Sequence, residues 1–292
     1  MSVPDEDEIE ASRAPLLAHL AELRQRLIVC VVAFTIGFVA CFAFSQQIYL
    51  LLLRPFEMAA SMVAAQKHGS HHNPFELLSV VLGLTPPPAG EQALRLVFTA
   101  PLEFFFTKMK LAGFGAIVLA FPILAHQLYR FVAPGLYRRE KRAFLPFLLA
   151  APILFVMGAA LVYFIMLPFV LWFSLSQQIV SGNVSVELLP KVSDYLDLVT
   201  KLLLAFGLCF QLPVVLSLLG LADLVKAETL AKGRRYAIVG IVVVAAVLTP
   251  PDPLSQCLLA VPIYLLYEVS IWCVRLIEAR RKREAGTDLA TT

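Results

Sequence analysis

The feature that most constrains this chain is a run of 33 residues, Ala143–Leu175, that contains no charged side chain. An α-helix needs about 20 predominantly apolar residues to cross the ~30 Å hydrocarbon core of a bilayer, and this run exceeds that length. The rest of the chain has the same character, with 59% hydrophobic and only 15% charged residues and a mean hydropathy of +0.79. These values predict a polytopic membrane protein and exclude an ordinary soluble domain.

The distribution of apolar runs predicts an all-α fold with six transmembrane helices in residues 1–275 and a basic tail at 276–292. The predicted spans are approximately 27–46, 105–130, 143–168, 200–221, 236–249 and 254–275. The run that contains the third span is too long for one upright helix, so it must tilt, kink at Pro152 or Pro168, or lie partly along the membrane surface. The fifth span is short, because Ala237–Leu248 precedes "TPPDP" and makes only about 18 Å of helix. Either the bilayer thins beside this helix, or its hairpin ends below the outer surface.

Lysine and arginine cluster at alternate ends of the predicted spans, and this asymmetry sets the orientation. Five lie between 130 and 142, four between 226 and 235, five between 275 and 283, and three precede the first span. The opposite connections contain fewer. Both termini are therefore predicted to lie in the cytoplasm, with a long loop, roughly Ser45 to Glu103, outside. The "NPFELLSVVLGL" stretch of that loop is either an amphipathic surface helix or a disordered excursion.

Motifs for catalysis and nucleotide binding are missing from the sequence, which contains no GxxxxGK[ST], no HExxH and no GxSxG. The five cysteines lie in apolar runs without CxxC spacing, which is typical of buried small side chains. His68, His71 and His72 lie in a polar loop without a carboxylate beside them, so a loop tip is favoured over a metal site. We therefore predict no enzyme activity, cofactor, metal or nucleic-acid partner.

Polar residues in or beside the spans are candidates for function, because polar groups in hydrocarbon are costly. These residues are Gln211, Thr249, Asp252, Gln256 and Glu268. Gln211 lies midway along the fourth span, where the ring of Pro213 frees the carbonyl of Cys209 and allows the helix to bend. Two interpretations of Gln211, Thr249 and Gln256 stay open: hydrogen bonds between helices of this chain, and contacts with a partner subunit.

Two acids stand out among basic residues at the predicted cytoplasmic surface: Glu22 in "HLAELRQRL" and Glu140 in "APGLYRREKR". On a helix, His19, Glu22 and Arg26 form a stripe beside a second stripe of leucines at positions 16, 20, 23 and 27. The leucine stripe can pack on the bundle or on the membrane interface. The spacing by itself favours an i,i+4 salt bridge between Glu22 and Arg26, which contributes a few tenths of a kcal/mol.

Four motifs in order give the sequence a resemblance to a known family. They are "HLAELR", "FPILAHQLYRFVAPGLYRREKR", "FGLCFQLP" and "LTPPDPLSQCLLAVPIYLLYE". The chain resembles TatC, the polytopic core of the twin-arginine protein translocase, from the first motif to the end of the sixth span. The resemblance implies six helices in a curved, cup-like wall in the bacterial inner membrane, with both termini cytoplasmic. It also implies binding of paired-arginine signal peptides, and a multi-copy assembly with TatA- and TatB-like single-span subunits that uses the proton-motive force and no nucleotide.

The resemblance also implies roles for particular residues. Glu22 and Glu140 would form an acidic site for the two signal-peptide arginines, since a carboxylate accepts the planar guanidinium fork through two hydrogen bonds. Phe131, Pro134 and Leu136 would frame this site, with Arg24 beside it. The set of intramembrane polar residues would face partner subunits. Many relatives have a glutamate in the fourth span where this chain has Gln211, and the first outer loop is longer than usual.

Two rival functions make different demands on the sequence. A secondary transporter should show ionisable residues at the midplane and broken helices in paired repeats; only Glu268 and the kinked fourth helix favour it. An intramembrane enzyme should show a nucleophile–base pair or metal ligands, and neither is found.

Overall fold

A computed structural model of the chain describes residues 6–67, 97–132, 141–177, 179–181, 184–186, 191–249 and 253–290, with side chains for most of them. The described residues form ten α-helices, one π-helical segment and one short β-hairpin. The helices are α1 (Glu6–Ala43), α2 (Ser45–Lys67), α3 (Glu103–Val132), α4 (Lys141–Leu161), α5 (Leu167–Ser176), α6 (Val192–Cys209), α7 (Leu212–Leu221), α8 (Ala227–Lys232), α9 (Arg234–Leu248) and α10 (Pro253–Ala290). The π-helical segment, Val162–Met166, separates α4 from α5, and β1 (Ile179–Ser181) pairs antiparallel with β2 (Val184–Val186).

Five helical segments within the described part of the chain are long and apolar enough to cross a membrane. They are Ala21–Ala43, Glu103–Arg130, Leu149–Ser176, Val192–Leu221 and Ser255–Arg281. They correspond to the first, second, third, fourth and sixth predicted spans, and the all-α prediction is confirmed apart from the small hairpin. The fifth predicted span is α9, whose 15 residues make a helix of about 22 Å. This helix is too short to cross ~30 Å of hydrocarbon upright.

Helix α1 packs along α3 through small residues. A Cβ on Gly37 would lie 3.3 Å from the backbone of Ala116, and a Cβ on Gly115 would lie 2.6 Å from the Sγ of Cys41. Small side chains at these positions let the two helices approach closely, as they do in other membrane interfaces. Of the predicted leucine stripe, Leu23 and Leu27 are exposed, at 42% and 60%. Arg26, from the neighbouring stripe, bonds to the carbonyl of Gln127 on α3.

The third span is interrupted before Pro168, and α4 continues through Pro152 without a break. Pro168 has no N–H to offer to the carbonyl of Phe164, and its ring crowds that carbonyl. The preceding turn widens, and the N–H of Leu167 bonds to the carbonyl of Val162, five residues earlier. This π-helical turn is the way in which the 33-residue apolar run departs from a straight helix.

The fourth span also consists of two helices, because α6 ends at Cys209 and α7 begins at Leu212. The N–H of Gln211 bonds to the carbonyl of Leu208, three residues earlier, at 2.9 Å. This tightened turn lies directly before Pro213, so the predicted bend is confirmed. Helix α4 packs on α6 nearby, where a Cβ on Gly207 would lie 2.5 Å from the ring of Phe155.

Helix α2 occupies a segment that was predicted from the sequence to belong to an outer loop. Its Pro55 lacks the N–H that would bond to the carbonyl of Leu51. The hydroxyl of Tyr163 donates to that carbonyl at 2.7 Å, and the hydroxyl of Tyr195 donates to the neighbouring carbonyl of Leu52 at 2.6 Å. Helix α2 is thus tied to the third and fourth spans. The "NPFELLSVVLGL" stretch and the three loop histidines lie outside the described residues.

The last helix, α10, continues through residue 275 to Ala290, so residues 276–290 of the predicted tail extend the sixth span. Glu278 accepts a hydrogen bond at 2.9 Å from the N–H of Ala227, at the start of α8. Arg281 lies 3.5 Å from the carboxylate of Asp223, which has a positive φ of 59°. These contacts attach the extension of α10 to the connection between α7 and α8.

Candidate functional site

Glu22 and Arg26 form a salt bridge on α1, as their i,i+4 spacing predicts. The Nη2 of Arg26 donates to the Oε1 of Glu22. The Nη1 of Arg26 donates to the backbone carbonyl of Gln127 on α3 at 3.4 Å. The side chain of Arg26 is 12% exposed and that of Glu22 is 40% exposed. Arg26 therefore holds the carboxylate against the end of α3 and leaves much of it open.

This end of α3 leads into the connection that contains the other predicted site residues. Phe131 lies in the last turn of α3, while Pro134, Leu136 and Glu140 lie outside the described residues. Arg24 is exposed and lies about 200° around α1 from Glu22, on the opposite face of the helix. The structure thus links Glu22, through Arg26, to Gln127 in the last turns of α3 and places Arg24 on the other face of α1.

Gln211 is buried, with 7% exposure, where three helices meet. Its Nε2 donates to the carbonyl of Ala151 on α4 at 2.8 Å. Its Oε1 accepts from the hydroxyl of Tyr129 on α3 at the longer distance of 3.4 Å. Of the two interpretations that the sequence left open, the structure shows hydrogen bonds between helices of this chain.

The other intramembrane polar residues are bonded near the α9–α10 hairpin. The Oγ1 of Thr249 donates to the carbonyl of Ala245 in its own helix at 2.8 Å, so Thr249 makes a local contact. The Nε2 of Gln256 donates to the carbonyl of Val242 at 3.2 Å, which links α10 to α9. Asp252, in the connection between these helices, lies outside the described residues.

Glu268 on α10 is paired with a base. Its Oε2 accepts from the Nη2 of Arg234, the first residue of α9, at 2.7 Å, and its Oε1 accepts from the hydroxyl of Tyr264 at 2.9 Å. The hydroxyl of Tyr267 donates to the carbonyl of Leu230 on α8 at 2.8 Å. Glu268 therefore fastens α9 to α10, and it is not the lone midplane acid that a transporter would use.

Two polar links at the other end of the bundle from Glu268 were not predicted from the sequence. Glu103 accepts a hydrogen bond from the hydroxyl of Ser193 at 2.6 Å, and Lys110 lies 3.0 Å from Asp197. Both pairs join α3 to α6. Since the partners are about 90 residues apart in the sequence, no local spacing could have indicated them. Among the described residues, no group of three or more His, Cys, Asp or Glu side chains could hold a metal ion.

Five long apolar spans, one short helix beside them and polar links between the helices define a multi-pass helical membrane protein. Comparison with known proteins identifies the family within this class. Residues 18–262 match the family model described as Sec-independent protein translocase protein (TatC). The chain therefore belongs to the TatC family.

Individual relatives agree over nearly the whole length of the chain. The TatC protein of Magnetococcus marinus is 40% identical over 95% of this chain and 90% of its own, and that of Escherichia coli K12 is 32% identical over 92% of both. A crystal structure of the twin arginine translocase receptor TatC superposes with a TM-score of 0.68 at 33% identity. It covers 89% of this chain and 99% of its own. The chain is thus a translocase subunit of the bacterial inner membrane that acts in a complex with other subunits.

Proposed function

We propose that this chain is the receptor that binds paired-arginine signal peptides on the cytoplasmic side, through the carboxylates of Glu22 and Glu140. The observation that carries the proposal is the position of Glu22. Arg26 holds its half-exposed carboxylate beside the end of α3, where the connection with Glu140 begins. The superposed crystal structure is that of a twin arginine translocase receptor, and this likeness supports the same role for the present chain.

The chemistry of the carboxylate explains how one acid serves both Arg26 and a ligand. An ionised carboxylate has two oxygens with about four lone-pair positions in total. Arg26 bonds to Oε1 of Glu22, which leaves Oε2 and part of Oε1 for a signal-peptide guanidinium. A planar guanidinium bonds to both oxygens, whereas the ammonium of lysine is a point charge. Arginine is therefore preferred to lysine, and Arg26 positions the Glu22 carboxylate that provides this preference.

A second part of the proposal concerns partners in the membrane. The valines at 239, 243 and 247 share one face of α9, and Val247 is 80% exposed. A Cβ on Gly240, beside this face, would meet nothing within 4 Å. An apolar face with an open glycine suits close packing of a single-span helix. We propose that TatA- and TatB-like subunits pack here, in several copies, and that the proton-motive force drives transport without nucleotide hydrolysis.

The binding test compares two signal peptides, one with the Arg-Arg pair and one with Lys-Lys, on the purified full-length chain. Charge-assisted hydrogen bonds contribute ~1.5–3 kcal/mol, so Glu22→Gln and Glu140→Gln should each weaken Arg-Arg binding by roughly ten- to a hundredfold. The preference for Arg-Arg over Lys-Lys should shrink in both variants. Arg26→Gln should shrink the preference as well, with a smaller loss of affinity.

Glu228→Gln is the matched control. Glu228 forms an exposed i,i+4 pair with Lys232 at 2.7 Å, and such a pair contributes at most about 1 kcal/mol. This substitution should leave signal-peptide binding unchanged. An equal preference for Arg-Arg in the native, Glu22→Gln and Glu140→Gln proteins would refute the site.

The orientation needs its own measurement. Single cysteines at Lys232 and Arg139, in a cysteine-free background, should resist an impermeant thiol reagent added outside intact cells. A cysteine at Gly182 should react. External labelling at residue 139 would place the proposed acid site on the wrong side of the membrane.

A further inference from the structure

A pocket of about 250 Å³ lies between α2 and α3, outside the sites described above. Tyr49 and Leu50 line it from α2, and Phe104, Lys108 and Leu111 line it from α3. Its walls are mostly apolar, with the Lys108 ammonium among the few polar groups. The pocket is somewhat smaller than the roughly 300–1,000 Å³ of common small-molecule sites, so it fits a short apolar segment.

The pocket lies near the ends of two of the apolar spans, which is where hydrocarbon gives way to headgroups in a bilayer. The first span ends at Ala43, and the pocket residues of α2 begin within two turns of it. The second span begins at Glu103, and the pocket residues of α3 lie within three turns of it. Three consecutive phenylalanines at 104–106 are exposed here, which is typical of aromatic residues at a membrane interface.

Lys108 supplies charge at the mouth of this apolar space. Its Nζ lies 4.5 Å from the ring centroid of Phe104. No carboxylate of the described residues lies within ion-pair distance of it, whereas its neighbour Lys110 is paired with Asp197. A part-buried ammonium on an aromatic face is well placed to attract an anion.

We propose that the pocket binds one anionic phospholipid, with part of an acyl chain in the apolar space and the phosphate on the ammonium of Lys108. A partner helix does not fit, because an α-helix with its side chains is about 10–12 Å across and exceeds the space available. The site depends only on the membrane location of the chain, so it can fail or succeed independently of the signal-peptide site.

The test is native mass spectrometry of the delipidated full-length chain titrated with phosphatidylglycerol or with phosphatidylcholine that has the same acyl chains. The native protein should retain one phosphatidylglycerol in preference to phosphatidylcholine. Lys108→Gln should weaken phosphatidylglycerol binding about tenfold, the size expected for a charge-assisted bond, and Lys108→Arg should retain the preference. Leu50→Trp, which fills the pocket, should weaken both lipids.

Lys191→Gln is the matched control for diffuse attraction. Lys191 is exposed at the start of α6, and its backbone bridges to Val97 just before α3, so it lies at the same end of the bundle. Its substitution should change lipid binding less than about twofold. Equal phosphatidylglycerol binding by the native, Lys108→Gln and Leu50→Trp proteins, each with a native thermal midpoint, would overturn the proposal. The proposal would also be overturned if Lys108→Gln bound lipid as the native protein does but no longer crosslinked to a partner subunit.

Discussion

Replacing Gln211 by leucine should destabilise the isolated chain, because Gln211 bonds to other helices of the same chain. Gln211→Leu keeps the side-chain size but removes the 2.8 Å bond to the carbonyl of Ala151 and the 3.4 Å contact with the hydroxyl of Tyr129. Hydrogen bonds between membrane helices contribute ~0.6 kcal/mol on average and ~1.7 kcal/mol at most. Since one bond is short and one is long, we expect a loss of about 1 kcal/mol. That loss corresponds to a fall of about 2–4 °C in the thermal midpoint.

A charged replacement should be worse at neutral pH. Gln211→Glu keeps the shape, but an ionised carboxylate has no hydrogen to donate to Ala151 and places a charge where native exposure is 7%. A charge at the centre of a membrane helix costs about 2.5–3.5 kcal/mol. A protonated carboxyl regains a donor. The thermal midpoint of this variant should therefore rise as the pH is lowered, relative to that of the native protein.

The assay is thermal unfolding of the purified chain in detergent, without partner subunits, followed by intrinsic fluorescence. Thr35→Val is the control, because the hydroxyl of Thr35 bonds only to the carbonyl of Val31 in its own helix, at an exposed position. It should shift the midpoint by less than Gln211→Leu. If Gln211→Leu leaves the midpoint of the isolated chain unchanged but weakens crosslinking to a partner, the intrachain explanation is wrong.

Two further predictions concern packing within the bundle. Gly207→Ala should destabilise the chain by about 1–3 kcal/mol, because its Cβ would lie 2.5 Å from the ring of Phe155. Gly240→Ala, which has open space around its Cβ, should leave the thermal midpoint unchanged. Equal midpoints for the two variants would contradict the packing of α4 on α6. Tyr195→Phe should loosen α2 by removing the 2.6 Å bond to the carbonyl of Leu52. Amide hydrogen exchange in α2 should then rise while that in α3 stays the same, and unchanged protection of α2 would show that this bond does not hold it.

Much of the fold can be predicted from this sequence because the bilayer imposes a simple length rule. A long uncharged run has few alternatives to a helix across the membrane, so the five long spans emerge from hydropathy alone. The bend near Pro213 is also local, since proline acts on the carbonyl four residues before it. Helix α2 was assigned to the outer loop, and Arg54, Pro55 and Glu57 do interrupt its apolar pattern.

The partners of the polar residues could not be predicted, because they depend on packing between distant helices. Gln211 bonds to Ala151, 60 residues away, and Arg234 bonds to Glu268, 34 residues away. The spacing of Glu22 and Arg26 predicted their salt bridge, yet the contact of Arg26 with α3 required the structure. Sequence patterns identify which side chains need a partner in the membrane; the fold determines which partner each one has.

At each of the two proline-associated breaks, a side chain that lies in the break bonds to another helix. Pro55 frees the carbonyl of Leu51, and the hydroxyl that bonds to it belongs to Tyr163, which lies within the π-helical turn before Pro168. At the other break, the side chain of Gln211 bonds to α4. Movement at either place would separate a donor from a carbonyl, and the ~0.6–1.7 kcal/mol that such a bond contributes between membrane helices opposes it. These bonds therefore help to set the relative positions of the spans at the two breaks.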